Sequence, residues 1–311
     1  MKRIALAIVL SCICHIGHAS VAGGQDYCES WGDYEPSWSP DGRWISASGW
    51  LFHGPPLYFL EFWVRAYEVV DDDSLGGALE IQYGGSTRPT WIREQPPEPM
   101  RLVYGRGNQI VGRDPTWDRV DEKIVAEVGC VVTDPAASPD DKWIAFACPD
   151  NNLHSLYTVN VQTGGVHRLT EGAVDIHPAW SRDGRFIVFA SDRNGSFDLW
   201  QVPSAGGEPT FVHGTAGSET WPAWSPNGEF LAFTSDADGS DDIWVLPRGA
   251  TQALRITDSP GAETGPAWAP QGTRIAYRSD NGECTRIEII PVPRIVSVSR
   301  SDFGKLKKFY R

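Results

Sequence analysis

Six residues, Glu35, Arg88, Asp134, His177, Trp221 and Gly265, each stand immediately before a proline, at successive spacings of 53, 46, 43, 44 and 44 residues. Five of the six carry a carboxylate, a guanidinium, an imidazole or an indole, groups that bind through charge, directed hydrogen bonds or ring stacking. The surrounding sequence repeats while these positions vary, which is what a recognition surface requires. Glu35, Arg88, Asp134, His177 and Trp221 are therefore the candidate binding residues. His177, Arg88 and Asp134 are also the groups from which a hydrolase or lyase site would have to be built.

Other chemistries fare less well. The seven histidines are 15, 18, 53, 154, 167, 177 and 213. The repeat register puts 154, 167 and 213 in outer strands or turns, away from His177, so a three-histidine metal site is not expected. Asp236-Ala-Asp238-Gly239-Ser-Asp241-Asp242 has the alternating carboxylates of a calcium loop, but its twelfth position is Pro247 rather than a bidentate Glu. The same turn recurs in neighbouring repeats with fewer acids, which marks it as structural. There is no Gly-x-Ser-x-Gly elbow and no His-Glu-x-x-His. No catalytic residue, metal or cofactor is assigned.

The frame behind the six positions is a repeat. Pro36-Ser-Trp38-Ser-Pro-Asp41-Gly42 recurs as Pro178-Ala-Trp180-Ser-Arg-Asp183-Gly184, Pro222-Ala-Trp224-Ser-Pro-Asn227-Gly228 and Pro266-Ala-Trp268-Ala-Pro-Gln271-Gly272. Pro135-Ala-Ala137-Ser-Pro-Asp140-Asp141 has lost its Trp and Gly, and Pro89-Thr-Trp91-Ile-Arg keeps only the beginning. After each Gly comes a short apolar strand such as Phe186-Ile187-Val188-Phe189, then a polar turn, a third strand such as Asp198-Leu199-Trp200, and a more polar fourth. A period near 44 residues is that of a four-stranded propeller blade. Pro opens the innermost strand, where a missing N–H costs least. Ser-Pro-Asp-Gly makes a tight turn, and the Trp fills the wedge between blades. The expected fold is all-β, a six-bladed β-propeller of four-stranded antiparallel blades starting near 36, 89, 135, 178, 222 and 266. The frame is interrupted between 50 and 130, by an insertion at about Arg65 to Gly77 and by the Pro-rich Gln95–Pro99.

Composition bounds the setting. Met1-Lys2-Arg3, the apolar run Ile4–Leu10 and the small residues Ala19 and Ala22 read as an export signal over 1–22, leaving 23–311 as one propeller. A periplasmic or secreted protein is expected. Val9-Leu10-Ser11-Cys12 loosely resembles a lipoprotein box, with Leu10 in place of the usual small residue; processing there would lipidate Cys12, the one route to a membrane. Removal of Lys2 and Arg3 takes the net charge from −13 to −15, which argues against a nucleic-acid partner. Cys28, Cys130, Cys148 and Cys284 remain after export, and an oxidising compartment allows two disulfides in any of three pairings. Cys28–Cys284 would tie the start of the chain to its last blade. Cys130–Cys148 would join neighbours on antiparallel strands.

The motif with this spacing resembles the WD-like propeller repeat of the TolB family of bacterial periplasmic proteins. The resemblance covers nearly the whole mature chain and is strongest over 134–290. In TolB an α/β domain precedes the propeller, and the propeller mouth docks a peptidoglycan-associated lipoprotein. Here the first motif follows the signal directly, so a stand-alone, monomeric TolB-like propeller is expected. By that resemblance the chain is a binding scaffold of the cell envelope, with an envelope protein or glycan at one mouth of the central channel. The alternative is a propeller hydrolase or lyase acting on a glycan or peptide at the same mouth.

Overall fold

The Ser-Pro-Asp-Gly segments build one turn several times over. In each, the Ser hydroxyl donates to the Asp or Asn side chain and accepts from the first backbone N–H of the next strand. Ser39 reaches Asp41 at 2.6 Å and receives Trp44 N at 3.0 Å. Ser138 with Asp140, Ser181 with Asp183 and Ser225 with Asn227 repeat the geometry at 2.6, 2.7 and 2.6 Å. The same acidic or amide oxygen then accepts the backbone N–H two residues on. The turn thereby commits one oxygen of each of these side chains.

The computed structural model describes residues 33–53, 59–71, 74–82, 89–93, 100–113, 122–150, 152–282 and 285–292. The expected signal, Cys12, Cys28, Arg88, Gln95–Pro99 and Cys284 lie outside them. The first blade comprises β1 (Asp33–Trp38), β2 (Trp44–His53), β3 (Phe59–Asp71) and β4 (Ser74–Gln82). The second has β5 (Thr90–Arg93), β6 (Met100–Arg106), β7 (Gln109–Arg113) and β8 (Glu122–Glu127). The third has β9 (Thr133–Ala137), β10 (Trp143–Asp150), β11 (Leu153–Asn160) and β12 (Val166–Arg168). The fourth has β13 (Asp175–Trp180), β14 (Phe186–Ser191), β15 (Asp198–Pro203) and β16 (Thr210–His213). The fifth has β17 (Glu219–Trp224), β18 (Phe230–Ser235), β19 (Asp242–Pro247) and β20 (Leu254–Arg255). The last sheet has β21 (Ala262–Trp268), β22 (Arg274–Asp280) and β23 (Thr285–Pro291). Each sheet pairs its strands in chain order, antiparallel throughout, giving five four-stranded blades and one sheet of three described strands.

The blades stack face to face, so their second strands lose solvent on both sides. β18 is buried along its whole length, and β14 from Ile187 onward. Among the described residues the buried apolar side chains fall into six clusters, each straddling two neighbouring sheets. One of them joins Trp38 and Ile45 of the first blade to Ala267, Ala269 and Ala276 of the last sheet. The inner strands likewise touch in sequence, and β21 returns to β1. The motif indoles lock these seams: Trp91, Trp180 and Trp268 donate Nε1–H to Ser37, Ala136 and Ala223 of the preceding blade at 3.2, 3.0 and 3.1 Å.

The third blade, where Ala137 stands in place of Trp, uses a different clasp. Ala137 N donates to Thr90 Oγ1 at 3.2 Å, and Arg93 N donates to Asp141 Oδ1 at 3.1 Å. Asp141 occupies the motif Gly position and keeps its left-handed backbone, with φ at 58°. The same blade carries the Cys130–Cys148 disulfide, with Cα atoms 5.9 Å apart. Arg65 to Gly77 does not interrupt the first blade. Its described residues belong to β3 and β4, which pair over an unusually long register and extend the blade.

Candidate functional site

Five of the inner strands carry a β-bulge at the same place. In the fourth blade Ile176 pairs with Ala190 and Ala179 with Val188, so His177 and Pro178 together oppose the single residue Phe189. The first, third, fifth and last inner strands shift register at the equivalent step. The first residue of each bulge takes a left-handed backbone: φ is 25° at Glu35, 52° at Asp134, 55° at His177, 53° at Trp221 and 63° at Gly265. This is the bulge type that ordinarily takes glycine at that position. Only the last sheet has glycine there. The other four hold an acid, an imidazole or an indole in a conformation that costs a non-glycine residue about 1–3 kcal/mol.

The bulges bring these side chains together as an arc. Asp134 Oδ2 lies 4.0 Å from His177 Nε2. The His177 ring stacks on the Trp221 indole, with centroids 3.4 Å apart and planes 17° from parallel. Gly265 leaves room for Glu35: a Cβ at 265 would fall 2.5 Å from Glu35 Cγ. The arc is recessed. Asp134 and Glu35 are each 5% exposed. Each lies within its inner strand. Arg88, the remaining member expected from the sequence, lies outside the described residues.

A second set of acids sits two residues earlier on the inner strands, unrecognised in the sequence although it follows the same frame. Asp175, Glu219 and Glu263 are buried, and each is committed to structure. Arg193 Nη2 donates to both oxygens of Asp175, at 2.9 and 3.1 Å. Glu219 accepts from Thr215 N and Ser235 Oγ, both at 2.9 Å. Glu263 accepts from Ser259 Oγ, and burial pushes its carboxyl above the usual range. Beside Glu219, burial holds the His213 imidazole below its ordinary value and raises Asp198. Among the described residues no group of three or more His, Cys, Asp or Glu is placed to hold a metal ion. The arc thus offers an acid, an imidazole edge and an indole, a set suited to recognising a partner that carries donors and a flat or cationic group.

Antiparallel blades around a ring of bulged inner strands define a β-propeller. A family profile described as the TolB β-propeller domain (PD40) matches residues 118–216 and 210–292, together more than half of the chain. The chain belongs to this family. It is 31% identical over 144 residues to the Tol-Pal system protein TolB of Syntrophus aciditrophicus, covering 43% of this chain and 31% of that one. It is 33% identical over 66 residues to an uncharacterized protein of Agrobacterium fabrum, covering 21% and 22% of the two chains. The matches therefore span less than a third of these relatives. Among solved structures, TolB from Acinetobacter baumannii superposes with a TM-score of 0.51 at 18% identity, covering 81% of this chain and 67% of that one. A puromycin-hydrolyzing peptidase of Mycobacterium tuberculosis gives 0.54 at 11% identity, covering 87% and 54%. At such identities the likeness concerns the fold.

Proposed function

We propose that the chain is an exported six-bladed TolB-like propeller that serves as a binding scaffold in the bacterial envelope, receiving a protein or glycan at the channel mouth through Glu35, Arg88, Asp134, His177 and Trp221. In this reading residues 1–22 are a signal and 23–311 form the single domain. The observation that carries this reading is the backbone at the bulges. Glycine, present at 265, would satisfy the left-handed conformation without cost. Retaining Glu, Asp, His and Trp there works against stability, which makes sense if their side chains are used. The envelope setting is supported by a relative named for the Tol-Pal system. The test is capture of envelope proteins and glycans by immobilised wild type, Arg88→Ala and His177→Ala. Loss of the captured partner in both variants, at unchanged melting temperature, is expected. Undiminished capture by both would refute the assignment.

One geometry favours a second reading. The Asp134–His177 pair at 4.0 Å has the composition of an oriented base, so a hydrolase or lyase at the same mouth is the alternative. Turnover of an oligosaccharide or peptide that is abolished by Asp134→Asn would select it.

A further inference from the structure

At the far end of the inner strands, where the Ser-Pro-Asp-Gly turns lie, a cleft of ≈ 950 Å³ opens in the seam between the third and fourth blades. Trp143, His167 and Arg168 line it from the third blade, and Trp180, Arg182 and Ser204 from the fourth. One aromatic wall is fixed through its ring and the other through its backbone. The Trp180 indole is held by its bond to Ala136 O at 3.0 Å. Trp143 is pinned at its backbone by Ser138 Oγ at 3.0 Å, with the His167 ring 6.0 Å away and tilted by 51°.

The polar walls are fixed too. Arg168 donates Nε–H to Thr170 O at 3.0 Å and Nη2–H to Ser155 Oγ at 2.9 Å. At the rim, the hydroxyls of Ser138 and Ser181 hold Asp140 and Asp183 below the usual carboxylate range, so both remain charged acceptors. Arg182 departs from the repeat. It is exposed and occupies the turn position that Pro40, Pro139, Pro226 and Pro270 fill in the sister turns.

We propose that this cleft binds a short oligosaccharide. The indoles would take the apolar C–H faces of pyranose rings, and the exposed Arg182 guanidinium with the second carboxylate oxygens of Asp140 and Asp183 would take their hydroxyls. The size suits a ligand site, for which about 300–1,000 Å³ is usual. A wholly apolar ligand would leave the Arg and Asp groups desolvated and unmatched. A polynucleotide is opposed by the net charge of −13 and the rim carboxylates. An extended peptide would need a strand edge to pair with, and β12 on this wall has only 3 residues. None of these side chains belongs to the bulge arc, so the cleft stands or falls separately from it.

The test titrates the full chain with chitotetraose, maltotetraose and tetragalacturonate to about 10 mM, read by indole fluorescence and calorimetry, with a proline-rich decapeptide alongside. At least one saccharide is expected to bind with Kd below about 1 mM. Trp143→Ala and Arg182→Pro should each weaken it about tenfold or more, and Ile124→Ala, at an exposed position of β8 outside both the cleft and the arc, should leave it unchanged. Arg182→Pro restores the residue of the sister turns, so it keeps the fold even where Trp143→Ala does not. A saccharide signal confined to tetragalacturonate supports the cleft and assigns its ligand an acidic sugar. Absence of saccharide binding, binding of the peptide alone, or saccharide binding lost in Trp221→Gly but intact in both cleft variants would overturn the proposal.

Discussion

At the scale of single residues, the left-handed bulges separate what stabilises the ring from what it displays. Asp141 shows the stability side most cleanly, since it holds the motif Gly position at φ 58° and burial raises its carboxyl above the usual range. Asp141→Gly removes the backbone cost and a desolvated charge, and loses an exposed bond to Arg93 N. A net gain of about 0.5–1.5 kcal/mol is expected. A carboxyl raised in the folded state loses its proton first in the unfolded chain, so its ionisation weakens the fold as pH rises through the carboxylate range. The advantage of Asp141→Gly, read as a difference in denaturant midpoint, should therefore be larger at pH 7 than at pH 3.5. A difference independent of pH would contradict this. The six positions before the prolines were legible as variable sites in a repeat. The left-handed backbone at the described ones was not, because a residue preceding proline is ordinarily driven to extended conformations and Glu and Trp give no signal for a left-handed turn. Gly265 was the one residue that hinted at it.

Elements inherit their order from the repeat, and the seams between them can be probed one bond at a time. Trp180→Phe deletes the Nε1–H bond to Ala136 while keeping most of the ring, and should cost about 1 kcal/mol; Trp180→Ala should cost about 3–5 kcal/mol in the same unfolding assay. The Cys130–Cys148 bridge closes a sequence separation of 18. The paired Cys130→Ser and Cys148→Ser variant should lose about 2–4 kcal/mol, and reductant should reproduce the loss in wild type. That bridge was readable because one cysteine precedes an inner strand and the other sits on the strand returning beside it. The extended β3 and β4 were not readable. The frame is measured from turn motifs, and a hairpin lengthened through two register shifts changes the spacing without leaving a turn motif to mark it. The acids Asp175, Glu219 and Glu263 escaped because a repeated carboxylate looks like surface until its Arg, Ser and Thr partners are seen. Between the fourth and fifth blades, burial keeps His213 neutral beside Asp198 and Glu219. Stability from this neutral imidazole is present above its ordinary value near 6.5 and lost as pH falls toward the depressed one. The melting temperature should fall from pH 7.5 to pH 5.5, and His213→Phe should flatten that slope.

For the whole molecule, the repeat yields a ring whose seams are alike and whose linings are not. Among the described residues, six apolar clusters that each straddle neighbouring sheets, and the return of β21 to β1, close the inner strands on themselves. Packing and turn geometry explain the Pro, Trp, Ser, Asp and Gly of the motif, whereas Glu35, Asp134, His177 and Trp221 differ from blade to blade at one shared left-handed backbone position. The central claim is that these side chains are kept for binding at the expense of backbone stability. The most direct measurement compares wild type with the double variant His177→Gly and Trp221→Gly for both thermal unfolding and quantitative capture of the envelope partner. The double variant should unfold within a few degrees of wild type or above it, since relief of two left-handed residues offsets the lost ring stacking, while capture falls at least about tenfold. Retained capture, or a collapse in stability that accounts for its loss, would contradict the claim.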